Sequence, residues 1–340
     1  MKKSNSHDMP QLNNYKYKDY DCNHIEEAKA FDSQIIQRVK GGHIPDLDNL
    51  ENCDYFYNNP WRRKYFAELD FGDQRDLILN ALRENIENKG QEIRILEIGS
   101  GPGHMSLAFA RAGYSVTGLD LSYDCISVAL DTANKFSPEL LGSKLEYVCD
   151  NIFNFAKQGN KIFDAIVFVG AMHHFTDQTE LHLTCKKLLK TEGLLICHEP
   201  VRDKISKRNA IANFIITTLL SISGHYYKEI NKNFDSNINE NISKKFKELR
   251  YELEDGEKVQ SVNDNEAGYN EMYPILIKNY KTITFEWRYG VFHEIIGGLR
   301  LSSAQNEAKL AKFIRDIDRL MCQENMIDPS EFFFVGKNSI

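Results

Sequence analysis

Apolar and polar positions along this chain alternate between two periods. Short apolar runs recur at Ile93–Ile98, Ser115–Leu119, Lys144–Cys149, Phe163–Val169 and Gly193–Cys197. Runs of this length with few polar interruptions mark strands buried on both faces. Between them the spacing changes to that of an amphipathic helix. Met105, Leu107, Ala108 and Ala112 form one such face, closed by Gly113 as C-cap. Ile126, Ala129 and Leu130 form the next over Ser122–Ala133, with Ser122 as N-cap. Leu181, Leu183, Leu188 and Leu189 form a third over Thr179–Lys190. Strand and helix in alternation predict an α/β fold with a doubly wound parallel sheet.

The flanks extend this pattern. Residues 1–14 are polar, and Tyr15–Tyr20 alternates aromatics with lysine. His24–Lys40 predicts an amphipathic helix with Ile25, Ala28, Phe31, Ile35, Ile36 and Val39 on its apolar face. The aromatic stretch from Tyr55 to Phe66 holds too much apolar area to be left in water. A helix over Asp73–Asn88 leads into the first strand. Residues 1–90 are therefore expected to form an N-terminal helical layer that doubles as a lid. Residues 91–200 carry the core, and 201–262, helical and rich in Asn and Lys, a cap insertion. Residues 263–340 return to the core through a helix at Glu266–Tyr280 and a sixth strand at Lys281–Tyr289. A long helix over Ser303–Gln323, with Leu310, Phe313, Ile314, Ile317 and Leu320 as its face, and an edge strand at Phe332–Val335 complete it.

The chemistry concentrates in E-I-G-S-G-P-G, residues 97–103, between the first strand and its helix. Glycine without a Cβ lets backbone turn sharply and approach a ligand. The second strand ends at Asp120, whose two carboxylate oxygens suit a vicinal diol. A dinucleotide loop, G-x-G-x-x-G, would need a third glycine where His104 or Ser106 stands, which disfavours an NAD(P)-dependent oxidoreductase. The spacing E-x-G-x-G-x-G resembles motif I of the class I S-adenosylmethionine-dependent methyltransferases, in their small-molecule branch. The resemblance covers Ile93 to about Pro200. It implies a Rossmann-like, seven-stranded sheet with S-adenosyl-L-methionine as cofactor and S-adenosyl-L-homocysteine as product. Glu97, Gly99, Ser100, Gly101 and Gly103 then match the methionine-side loop, with Asp120 and Leu121 at the ribose. Asp150, Asn151 and Ile152 match the adenine site, and Gly170 the end of motif IV.

Charge and cysteine usage narrow the partners. Lys and Arg total 42 against 49 Asp and Glu, a net charge of −7, which is a poor basis for gripping nucleic acid or an anionic membrane. The motif IV position reads G-A-M-H, without the prolines and aromatic with which nucleic-acid amino-methyltransferases hold a flipped base. Seven scattered cysteines without a CxxC pair suggest reduced thiols in a cytoplasmic protein. No apolar leader and no run long enough to span a bilayer is evident. The expected partner is a small molecule; a homodimer is compatible with the chain.

Methyl transfer is an in-line displacement that needs an aligned acceptor and, for hydroxyl or ammonium acceptors, a base. His173 and His174, after the fourth strand, are the candidates, with one of the two expected to face the cofactor. Tyr57, His198, Glu199 and His293 are expected to contact substrate, and His43 and His182 to be solvated. Asp177 and Glu199 do not make a Mg²⁺ ligand set, so no metal is expected. The function expected is O- or N-methylation of a sugar or natural-product intermediate. A protein or peptide methyltransferase and a catalytically silent methyltransferase-like scaffold remain as alternatives.

Overall fold

The computed structural model describes residues 22–51, 53, 64–87, 90–159, 162–228, 237–251, 253–254, 257–258, 261 and 267–339. The alternating pattern folds as β1 (Arg94–Ile98), β2 (Ser115–Asp120), β3 (Leu145–Cys149), β4 (Phe163–Val169) and β5 (Leu189–Pro200), with β6 (Lys281–Trp287) and β7 (Glu331–Lys337) added by the C-terminal part. The seven strands lie in the order β3-β2-β1-β4-β5-β7-β6. β1 to β5 run parallel, and β7 runs antiparallel to both β5 and β6. Phe332–Val335 is therefore an interior strand, and the expected edge position belongs to β6. The reason is in the residues: Phe332, Phe333, Phe334 and Val335 are all buried, which requires cover on both faces of the sheet.

Alternate residues of each strand enter two separate cores. Leu96, Ile166, Leu195 and Phe334 pack on one side against α5 (Ile152–Lys157), α6 (Gln178–Leu188) and α9 (Tyr269–Asn279). Ile95, Val167, Ile196 and Phe333 pack on the other against α2 (Asp73–Asn85), α3 (His104–Arg111) and α4 (Tyr123–Phe136). A third cluster gathers Tyr65, Phe66, Tyr289 and Phe292 around α10 (His293–Ile296), under α7 (Lys207–Ile222) and α11 (Ala304–Gln323). α8 (Ile238–Tyr251) packs on α7, and beyond it Leu253–Glu254 pairs antiparallel with Glu257–Lys258, so the described part of residues 201–262 holds a small two-stranded sheet as well as helices.

Three faces differ from the sequence pattern. On α1 (Cys22–Lys40), Ile36 and Val39 are exposed, and the buried side carries Glu27, Ala28, Asp32 and Ile35. The helix is turned because its carboxylates have partners below. Asp32 accepts hydrogen bonds from Ser122 Oγ at 2.7 Å and from Asp124 N at 2.9 Å. On α11, Phe313 and Leu320 are exposed while Asp318 is fully buried, its carboxylate accepting from Gly290 N and Val291 N at 2.8 and 2.7 Å. His182 is fully buried against Tyr280, correcting the solvated reading, and burial pushes its pKa down to about 4. It follows Leu181 on the face that also holds Cys185 and Leu188, so the helix carries it inward.

Candidate functional site

At the carboxyl edge of the sheet, the loops after β1, β2, β4 and β5 surround a cavity of about 580 Å³. This volume lies within the range of small-molecule sites, and the position is the one where open parallel sheets bind ligands. His24, Glu27, Phe31 and Arg38 of α1 cover it from above.

The glycine loop forms one wall. Gly99 has φ +71°, and a Cβ there would come 2.5 Å from Ala171 Cβ, so no other residue fits between β1 and the β4 loop. Gly101, at φ +51°, lines the cavity, and a Cβ there would meet nothing within 4 Å. The space in front of Gly101 is open to the cavity. Asp120, at the end of β2, stands beside it. Its Oδ2 accepts from Gly101 N and its Oδ1 from Ser122 N, both at 2.8 Å, leaving one lone-pair direction on each oxygen. Desolvation raises its pKa to about 6, against the two backbone hydrogen bonds, with Asp32 and Glu27 adding to the rise.

Leu121, Asp150, Asn151, Ile152 and Gly170 also line the cavity, and Phe153 and Phe175 meet edge to face beside them at 6.3 Å. Asp150 is already engaged, accepting from Asn151 N and Gln158 Nε2, both at 2.8 Å. Glu97, Ser100 and Gly103 stand behind the loop and outside the cavity wall. Glu97 is buried, accepts from Ser106 Oγ, and has its pKa pushed up to about 8 by desolvation. Gly103 is the N-cap of α3 at φ +82°. A small cradle with two carboxylates at strand ends, Asp120 at β2 and Asp150 after β3, fits a nucleoside-bearing cofactor.

The β4 loop forms the second wall. Met172–His174 is a turn of 3₁₀ helix, and both histidines line the cavity, their ring centroids 4.2 Å apart. This corrects the expectation that only one could face it. Strand geometry would send neighbours to opposite sides, whereas the tight turn brings them together. Glu199 is fully buried and holds this turn, accepting from Ala171 N at 3.1 Å, Met172 N at 2.9 Å and His173 Nδ1 at 2.8 Å. It is not among the residues lining the cavity; its carboxylate meets the turn instead. His174 Nδ1 lies 2.9 Å from Glu27 of α1, whose Oε1 also accepts from Ser261 Oγ at 2.6 Å. Asp177 caps α6 by accepting from Glu180 N.

The far end of the cavity holds residues that the sequence pattern did not single out. A π-helical turn at Glu68–Gly72 joins a short helical turn, Lys64–Ala67, to α2; Asp70 and Phe71 of the π-turn and Gln74 at the start of α2 line the cavity. Such turns break the 3.6 period, which hides them from a periodicity reading. His293 lies between Asp70 and Glu331: its Nε2 is 3.0 Å from Asp70 Oδ1, and its Nδ1 bonds Glu331 Oε1. Burial alone would lower the His293 pKa, but these two carboxylates raise it well above the ordinary value. His198 also lines the cavity, with its pKa lowered by burial. Tyr57 lies outside the described residues.

The methyltransferase-domain family model matches residues 64–266. A ubiquinone biosynthesis O-methyltransferase of Yersinia pestis (strain Pestoides F) is 32% identical over 119 residues, covering 34% of this chain and 47% of the relative. The chain thus spans about half the length of the curated relatives it matches. Among solved structures, a phosphoethanolamine N-methyltransferase 2 of Haemonchus contortus in complex with S-adenosyl-L-methionine is 18% identical. It has a TM-score of 0.44, with 82% of this chain and 57% of that chain covered. A SAM-dependent methyltransferase of Methanosarcina mazei is 16% identical, with a TM-score of 0.41 and coverages of 76% and 97%. The fold assignment rests on the sheet order itself, and the family match spans more than half of the 340 residues. The chain belongs to the methyltransferase-domain family, enzymes of the class I fold that take their methyl group from S-adenosylmethionine.

Proposed function

We propose that this chain methylates an oxygen or nitrogen of a small molecule, a sugar or natural-product intermediate, enclosed beneath α1. The observation that carries this reading is the shared cavity: Gly101 and Asp120 line one part, and the His173–His174 turn lines another. The cofactor, when bound, supplies a methyl activated by its sulfonium. Gly101 would leave room for it, and Asp120 would hold its ribose hydroxyls. His173, fixed through Nδ1 by Glu199, presents its other ring nitrogen for the acceptor's proton. His174, held by Glu27, orients the acceptor or takes that role. A cavity roofed by α1 suits a small acceptor better than a side chain on a folded protein. The reading includes no nucleic-acid partner and a cytoplasmic setting; among the described residues no helix is long and apolar enough to cross a membrane.

Calorimetry with S-adenosylhomocysteine tests the cofactor half. Micromolar binding by the wild type, lost in Gly101→Val, is the expected result. A screen of cell metabolites with methyl-labelled S-adenosylmethionine tests the acceptor half, and labelling confined to protein would overturn it.

A further inference from the structure

At the far end of the cavity, five side chains form one polar chain. Gln74 Nε2 donates to Asp70 Oδ1 at 2.7 Å, Asp70 Oδ1 lies 3.0 Å from His293 Nε2 as an ion pair without an aligned hydrogen bond, and His293 Nδ1 bonds Glu331. Glu331 Oε2 then faces His198 Nε2 at 3.6 Å, beyond hydrogen-bond reach. Gln74, His198 and Glu331 are 8%, 3% and 8% exposed, yet Gln74 Oε1, His198 Nε2 and Glu331 Oε2 have no hydrogen-bond partner among the described residues. Buried polar atoms are rarely left this way, because each unmade bond costs stability. Here all three belong to residues lining the cavity where an acceptor would lie.

The polarity of the three atoms defines their ligand. Gln74 Nε2 is committed to a carboxylate, so its free atom is the carbonyl oxygen, an acceptor. Glu331 Oε2 is an acceptor. His198 Nε2 faces that carboxylate, which favours the tautomer with its proton on Nε2 and makes it a donor. A hydroxyl between His198 and Glu331 accepts from one and donates to the other. An ammonium can only donate, and an anion would meet two acceptor oxygens. Phe71, only partly buried and on the same segment as Asp70, lines the cavity beside these groups and provides apolar surface for a carbon frame.

We propose that Gln74, His198 and Glu331 seat the methyl acceptor, and that they are built for a neutral molecule carrying at least two hydroxyl groups on an apolar frame. This rests on the reading of the cavity as a methyl-transfer site and names the acceptor class within it.

The test uses the full chain saturated with S-adenosylhomocysteine and three probes: trans-1,2-cyclohexanediol, cyclohexanol and cyclohexanecarboxylate, titrated by ligand-observed NMR. The diol should bind at least fivefold tighter than the mono-ol, and the carboxylate weakest. Glu331→Gln and Gln74→Met should each weaken the diol at least fivefold and leave S-adenosylhomocysteine affinity within twofold. Equal affinity for diol and mono-ol, preference for the carboxylate, no diol binding, or unchanged diol affinity in both variants overturns the proposal. Should Glu331→Gln fail to fold, Gln74→Met decides alone. Absence of S-adenosylhomocysteine binding in the wild type would instead sink the cofactor reading, and the diol titration on cofactor-free protein would still report on the subsite.

Discussion

Asp120 is the residue on which cofactor affinity should turn. Its pKa near 6 lies above the ordinary carboxylate value, so it is ionised at pH 7.5 and takes up a proton as pH falls through about 6. The ionised form is the better acceptor for ribose hydroxyls. S-adenosylhomocysteine affinity measured by calorimetry should therefore be flat above pH 7 and decline below pH 6. Asp120→Ala should lower affinity by roughly 1.5–3 kcal/mol at pH 7.5 and abolish that decline. Glu97 is a different case, since its raised pKa of about 8 reports a carboxyl that the fold prefers protonated. A raised acid contributes stability at low pH that is lost as pH rises through the folded value. Glu97→Gln should thus be near neutral at about pH 4, below the unfolded value, and stabilise the cofactor-free protein increasingly as pH rises from there to about 8, read by denaturant melts. At the β4 turn, His173→Ala should slow turnover by about 10²–10⁴ if His173 is the base, with S-adenosylhomocysteine affinity kept. His174→Ala giving the larger loss would move the role to its neighbour. Wild-type rates in both variants and in the double variant would remove the turn from the chemistry.

Among the elements, α1 is the one whose attachment is specific. Asp32 ties it to the start of α4, and Glu27 ties it to His174 and Ser261, so its contacts reach the ribose side and the β4 turn together. Asp32→Ala leaves Ser122 Oγ and Asp124 N without this acceptor, a cost of about 1–3 kcal/mol. The expected outcome is faster proteolysis within residues 22–40 and weaker S-adenosylhomocysteine binding. Cofactor should protect that segment in the wild type, and unchanged cleavage on saturation would contradict a lid that responds to ligand. The core elements were legible because buried parallel strands have no polar face to blur them. β4 was expected at Phe163–Val169 and spans those residues, and Ser122 caps α4 as its position suggested. The inner face of α1 was not legible, because carboxylates turned inward imitate a solvated side until their partners are known. Asp70 and Gln74 were hidden by the π-turn, and Glu331 looked like the polar boundary of an apolar strand. The interior place of β7 was readable in hindsight: four buried apolar residues in a row lack the alternation of a half-exposed edge.

For the molecule as a whole, the site draws on both ends of the described chain. The glycine loop and Asp120 come from the first βαβ unit, α1 roofs them, and Glu331 arrives on β7 beside Pro200 at the carboxyl end of β5. Only an antiparallel strand could bring its first residue to that edge, so the reversal of β7 is what places Glu331 at the cavity. The same reversal has a consequence during synthesis. β5 ends at Pro200 and its neighbour β7 begins at Glu331, so 331 − 200 = 131 residues of translation separate them. At about 5–20 residues per second this leaves the apolar flank of β5 without its neighbour for roughly 7–26 s. An unpaired strand edge of that kind recruits other strands. The nascent protein therefore passes through an interval in which its cofactor half is already made but its sheet is open, and a ribosome stalled between residues 200 and 331 should hold the chain in its most chaperone-dependent form.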